Sequence, residues 1–245
     1  MTQTVREFEN TFARAWTLMW RNPLIVAACI VTGLLAAGAQ YLTNEMMNSF
    51  AVSGNGSRDA LTAIDALTKI VAFVVTLAVS LVQMGFVTGM AGAAWRTGRA
   101  TLADGWSALS HRLWPLAGAV ALLFVMGACA AVLAPITFYI TLIAYAVFFI
   151  YTIAAVVIGE RPAIAAIVQS ASIALANMAP TLGVVAIVGA IVVAGAYLGH
   201  LAGGVNAQAG WLVDGLLPQI IVAYVTLVVA GEYLNLASTS PSSGS

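Results

Sequence analysis

Charge is what this chain has least of. Asp, Glu, Lys and Arg together make up 7% of its 245 residues, where a soluble domain carries about a quarter. The apolar residues reach 62%. That combination excludes a soluble globular domain and a disordered chain. Two cysteines exclude a disulfide scaffold. The formal net charge of zero leaves no electrostatic footprint for a nucleic-acid partner. An integral membrane protein remains.

A spanning helix needs about 20 apolar residues to cross a hydrocarbon core of about 30 Å. The charge-free intervals therefore predict an all-α, polytopic membrane bundle of six spans, at about 24–42, 70–95, 113–133, 136–158, 181–198 and 214–234. Leu113–Gly159 contains 47 residues without a charge. At 1.5 Å per residue that is about 70 Å, enough for two spans, and Pro135 marks the break between them. Residues 1–236 read as one membrane domain and 237–245 as a disordered, Ser-rich tail.

Lys and Arg are unevenly placed. Arg6, Arg14, Arg21, Arg96, Arg99, Arg112 and Arg161 fall on one side of this topology, Arg58 and Lys69 on the other. The positive-inside rule then puts both termini in the cytoplasm. Ala37-Gly38-Ala39 suits a signal-peptide cleavage site. The long N-terminal stretch before it, with Glu7, Glu9, Trp16 and Trp20, does not suit an n-region, so the segment is expected to be retained.

Three stretches share a plan: an amphipathic segment, a proline, then a span. They end at Pro23, Pro115 and Pro180, 92 and 65 residues apart. Internal duplication and ordinary interfacial helices both fit, since the period is not fixed. The first stretch, residues 4–21, opens with a Thr4–Glu7 capping box and carries Val5, Phe8, Phe12, Trp16 and Met19 at helical spacing. The second has Thr101 and Asp104 as a similar cap. The third, Pro162–Met178, places Ile164, Ile167, Val168, Ala171, Leu175 and Met178 on one face; it reads as an interfacial helix, with a seventh span as the competing reading. A cytoplasmic collar of amphipathic helices follows. Arg14, Trp16, Trp20, Arg21, Arg99, Trp106, Arg112 and Trp114 are its candidate lipid-headgroup contacts, aromatic rings at the interface and guanidiniums at the headgroups. Glu160 and Arg161 form a candidate structural ion pair before the third helix.

Chemistry-bearing groups are sparse. His111 and His200 fall on opposite sides, and HExxH, CxxC and Walker A motifs are absent. No catalytic, metal or cofactor site is expected. Gly54-Asn55-Gly56-Ser57 reads as a turn, and Asn55-Gly56-Ser57 fits a glycosylation triplet. Cys29 and Cys129 lie about 12 Å apart in depth and are expected to stay unpaired. Gly85/Gly89 and Gly195/Gly199/Gly203 are small-residue ridges for helix packing. No Asp, Glu, Lys or Arg sits mid-span, and Asp214 and Glu232, at the ends of the sixth span, are expected to be solvated. Gln83, Thr76, Ser80, Thr137, Thr141 and Tyr145 are the central polar groups, suited to interhelical hydrogen bonds or a polar passage.

Phe12-Ala13-Arg14-Ala15-Trp16 with Arg21-Asn22-Pro23, Gly98-Arg99-Ala100-Thr101-Leu102-Ala103-Asp104, and Val156–Glu160 followed by Ala163–Ala176 resemble motifs of a bacterial family of six-span proteins. It is named for the membrane domain attached to some glycerophosphodiester phosphodiesterases. In this resemblance Glu160 and Ser172 take motif positions. The family's enzyme-bearing members hydrolyse substrate in a separate soluble barrel, for which the sequence has no room, so the resemblance implies a bacterial inner-membrane module without that activity. The expected function is a non-enzymatic module organising membrane lipids, a membrane-protein partner or a second copy of itself at the cytoplasmic leaflet. The alternative is a small transporter or channel subunit.

Overall fold

The computed structural model describes residues 2–52, 58–137, 139–205 and 207–239, and every regular element among them is helical. In chain order these are α1 (Thr2–Arg21), α2 (Pro23–Val52), α3 (Arg58–Thr97), α4 (Leu102–Leu133), α5 (Ile140–Phe149), α6 (Thr152–Val157), α7 (Ala163–Ala176), α8 (Met178–Val205) and α9 (Ala207–Thr239). Among the described residues, five stretches are long and apolar enough to cross a membrane: Leu67–Thr97, Leu102–Leu133, Ile140–Val157, Met178–Ala202 and Gly215–Ser238. The bent pair Asn10–Arg21 and Pro23–Leu35 makes a sixth if counted as one span. The chain is an all-α, multi-pass membrane bundle.

Helices α2 and α3 run through most of the expected 43–69 loop, because neither 43–52 nor 58–69 contains a proline or glycine to stop them. The Gly54–Ser57 turn lies outside the described residues, as do the side chains of the Thr4–Glu7 box and of Asp214. Helix α9 continues to Thr239, so the first three residues of the expected tail are helical; residues 240–245 lie outside the described ones.

The three proline junctions differ. At the first, α1 meets α2 at 79°. Asn22 closes the last turn of α1, its N donating to Leu18 O at 3.0 Å and its Nδ2 to the same carbonyl at 2.9 Å, and Pro23, which has no N–H, cannot continue the ladder. At the third, α7 ends at Ala176 and α8 starts at Met178. At the second, α4 is continuous, with Pro115 inside it. The expected separate interfacial helix is therefore the first turns of the span itself. Proline removes one helical hydrogen bond and crowds the preceding turn, yet the helix runs on through Pro115, as membrane helices tolerate. The Thr101–Asp104 capping box forms as expected.

Turn residues 134–137 and Tyr139 separate α4 from α5, with Tyr139 in the left-handed region at φ 64°. The fourth span is itself broken. Ser170 Oγ, reaching over from α7, accepts from Tyr151 N at 3.2 Å and donates to Phe148 O at 2.8 Å. A side chain inserted into the i→i−4 ladder is a recognised cause of a helix break. The short α6 beyond it is buried at Thr152, Ala154, Ala155, Val156 and Val157.

Small residues let the helices approach. A Cβ on Gly85 would run into Leu116 and Leu109, and one on Gly89 into Ala108, so this pair forms the α3–α4 crossing; Gly195 meets Ile221 across α8–α9. The core joins Ala15, Leu18 and Met19 of α1 to Trp95, Tyr151, Val156, Leu227 and Val228.

Candidate functional site

The polar side chains converge on one end of the bundle, where α1 meets α2, α3 meets α4 and α6 meets α7. Asn22 starts the arrangement. Its Oδ1 accepts from Ala100 N at 2.7 Å, and Nδ2 also reaches Gly98 O at 3.3 Å. The Arg21-Asn22-Pro23 and Gly98–Asp104 segments, far apart in sequence, are thereby fastened together. Gly98 carries φ 79°, a conformation glycine adopts without strain. Trp95 is the next anchor. Its Nε1 donates to Leu227 O at 2.7 Å, Gly231 lies against its ring, and the Arg14 guanidinium sits 4.7 Å from the ring centroid.

Two arginines then hold the C-terminal end of α6. Arg96 Nη2 donates to Ile158 O at 3.0 Å. Arg112 Nη1 donates to Glu160 O at 3.2 Å and Nη2 pairs with the Glu160 carboxylate. Cations at a helix C-terminus satisfy its orphan carbonyls and complement its dipole. Glu160 has φ 55°, which costs a non-glycine residue about 1–2 kcal/mol. That backbone presents both its carbonyl and its carboxylate to Arg112. The expected Glu160–Arg161 pair is thus replaced by Glu160–Arg112: the left-handed turn carries the carboxylate across to α4, and Arg161 comes within electrostatic range of Tyr233 instead.

Between α3, α4 and this turn lies a cavity of about 390 Å³. Gly89, Gly92, Ala93 and Ala108 line it with small side chains, and Arg96, Asp104, Ser107, His111, Arg112 and Glu160 supply its polar groups. His111 Nδ1 lies 2.8 Å from Ser107 O. A carbonyl can only accept, so Nδ1 carries the proton.

A second polar cluster is fully enclosed. Tyr151, Thr152, Ser170 and Thr181 are each 0% exposed, and Glu232 only 4%. Tyr151 Oη donates to Thr181 Oγ1 at 3.5 Å, and Glu232 lies close enough to Tyr151 to act on it electrostatically. The expectation of a solvated Glu232 is corrected: Gly231 lets α9 close onto Trp95 and draws the next residue inside. Its only signal in sequence is a carboxylate directly after the small pair Ala230-Gly231 in an apolar run.

The collar residues divide. Trp16, Trp20, Trp106 and Trp114 are 52, 68, 65 and 84% exposed, and Arg21 and Arg99 are exposed beside them in the chain. Arg14 and Arg112 instead have structural partners. Helix α7 buries Ala166, Ser170, Ile173 and Ala174 and leaves Ile164, Val168 and Leu175 on the outside. Its expected apolar face thus points away from the protein, and Ser172 bonds only its own helix, at Gln169 O. Sequence reasoning missed Arg96, Ser170 and Tyr151.

The mid-span polar groups form two separate sets. Gln83 Nε2 donates to Gln219 Oε1 at 2.9 Å, and Gln83 and Ser80 line a mainly apolar cavity of about 290 Å³ between α3, α6 and α9. Thr141 and Tyr145 bond the α4 backbone, at Ala130 O and Leu123 O. Cys29 and Cys129 are free thiols. No group of three or more His, Cys, Asp or Glu able to hold a metal occurs among the described residues.

Fold and site together define a multi-pass helical membrane protein with a polar, arginine-held end. In comparison with known proteins, the chain gives no significant match to a family model, a curated protein or a solved structure.

Proposed function

We propose that this chain is a non-enzymatic module of the bacterial cell membrane that organises lipid at the arginine-rich end of its bundle. That end faces the cytoplasm in this reading, with both termini there, as the excess of arginine favours. The resemblance to the six-span membrane-domain family supports it. The observation that carries it is the exposure of Trp16, Trp20, Trp106 and Trp114 at the same end as the exposed Arg21 and Arg99. Indole rings settle at the headgroup level, and each nearby arginine attracts anionic lipid by about 1 kcal/mol. The outward apolar face of α7 suits the same interface.

Arg21→Gln with Arg99→Gln is the test, because neither residue holds the fold as Arg14 and Arg112 do. In nanodiscs of mixed phosphatidylglycerol and phosphatidylcholine, the double variant is expected to retain severalfold less anionic lipid. Unchanged enrichment would remove the reading. A C-terminal reporter active only outside the cytoplasm would reverse the orientation.

A small transporter or channel subunit is the second reading, favoured by the Gln83–Gln219 contact beside the 290 Å³ cavity. Gln83→Cys and Thr141→Cys would then react with a water-soluble thiol reagent; protection of both excludes a water-filled conduit.

A further inference from the structure

We propose that the cavity between α3, α4 and the α6–α7 turn binds a phosphoethanolamine group, the headgroup of a zwitterionic lipid. The proposal deepens the lipid-organising reading and rests on it, but it concerns a site separate from the exposed tryptophan collar.

The charge lining the cavity selects the ligand. Arg96 and Arg112 contribute two positive charges, Asp104 and Glu160 two negative ones. A purely anionic headgroup would meet both carboxylates, and a purely cationic one both guanidiniums. A zwitterion can satisfy both signs. The donors and acceptors match as well. Arg96 uses Nη2 on Ile158 O, which leaves Nη1 and Nε for a phosphate. Asp104 receives its cap bonds on Oδ2 and Glu160 its arginine on Oε2. The second oxygen of each carboxylate can therefore accept from an ammonium. In its neutral form His111, with its proton on Nδ1, offers Nε2 as a third acceptor.

The same lining separates a primary from a quaternary ammonium. A primary ammonium donates three hydrogen bonds, and three acceptors are present. A choline group donates none and is held by aromatic cages. No Phe, Tyr or Trp is among the described residues that line this cavity. Size permits the fit: about 390 Å³ has room for roughly a dozen waters. The small residues Gly89, Gly92, Ala93 and Ala108 keep that space open, and Gly92 also lets Ile158 approach, since a Cβ there would stand 3.0 Å from its side chain.

The test uses the full chain in nanodiscs holding equal phosphatidylethanolamine, phosphatidylcholine and phosphatidylglycerol, with retained lipid read by native mass spectrometry. The wild type is expected to prefer the ethanolamine lipid over the choline lipid about tenfold, the worth of one hydrogen bond to a charged group. Glu160→Gln removes an acceptor charge and should reduce that preference to about twofold or less. Ser107→Leu, which fills the cavity from an exposed position, should do the same, and decides the matter alone if Glu160→Gln fails to fold. Arg21→Gln with Arg99→Gln should lower phosphatidylglycerol only, so a failed collar and a failed cavity give different results. Free phosphoethanolamine binding in pure phosphatidylcholine discs, and lost in Ser107→Leu, would keep the site and make its ligand soluble. Equal retention of ethanolamine and choline lipids by the wild type, without binding of the free compound, overturns the proposal. So does a preference that survives both substitutions.

Discussion

The fourth and fifth spans are almost equally apolar, yet they take opposite places. In the fourth, α5 with α6, 39% of the most apolar window is buried inside the protein; in the fifth, α8, the figure is 11%. The fourth is broken at Tyr151 by a serine from another helix, and its far end is held by two arginines. The fifth is one unbroken helix on the outside of the bundle. Hydropathy decides which segments leave water. It does not decide which of them reach the centre, because lipid tails and an apolar core are equally good solvents for leucine. The difference comes from polar side chains and from glycines that let one element close on another.

The largest expected effect sets one glycine of each span against the other. Gly159 follows α6, with the Tyr233 hydroxyl pressed against the position of its missing Cβ and Ala155 O 2.8 Å from it. Gly189 in α8 has nothing within 4 Å of that position. Gly159→Leu is expected to destabilise by about 3 kcal/mol or more, since overpacking alone costs 1–3 and backbone cannot move aside as a side chain can. Gly189→Leu should stay within about 0.5 kcal/mol of wild type, as exposed substitutions do. Thermal unfolding in detergent micelles measures both. Equal losses would mean that α8 is as enclosed as α6.

A serine pair sharpens the comparison at the break. Ser170→Ala leaves the buried Tyr151 N–H without its acceptor, at an expected cost of about 1–3 kcal/mol. Ser172→Ala, on the exposed side of the same helix, removes only a bond to Gln169 O and should change stability by less than about 0.5 kcal/mol. Melting temperatures of the two variants give the contrast. Should Ser170→Ala be neutral, the ladder has closed back through Tyr151 and the break is not held by Ser170.

These pairs also mark what could be read from the sequence. Features written in neighbouring residues were legible: five of the six charge-free spans, the Pro135 turn, the Thr101–Asp104 cap and the Gly85/Gly89 crossing each depend on a spacing within a few positions. The break at Tyr151 was not, because Ile150-Tyr151 contains no breaker and the cause sits 19 residues away in Ser170. Pro115 misled in the opposite sense, since α4 continues through it: a proline costs a single ladder hydrogen bond, which a membrane helix tolerates. For the site, the arginines and tryptophans were visible by type. Their roles were not. Arg14 and Arg112 are separated from Arg21 and Arg99 by partners, Trp95 and Glu160, that lie 81 and 48 positions along the chain.

The smallest expected effect concerns the end of the broken span. The Arg112–Glu160 pair is open to solvent, with 28 and 68% of its side chains exposed. Such pairs contribute about 0–1 kcal/mol. The left-handed backbone at Glu160 costs an amount of similar size, about 1–2 kcal/mol. Glu160→Gly removes both at once, and the two should nearly cancel, leaving a change within about 1 kcal/mol of wild type. Glu160→Ala loses the pair and keeps the strain, so it should be the less stable of the two. Thermal unfolding at low and at high salt separates the contributions: salt weakens the pair but leaves the backbone strain unchanged, so the gap between wild type and Glu160→Ala should narrow as salt rises. If Glu160→Gly is instead the less stable variant, the carboxylate holds the α6 end more firmly than an exposed pair can. The polar end would then resemble the buried cluster around Tyr151 rather than an open, ligand-accessible rim.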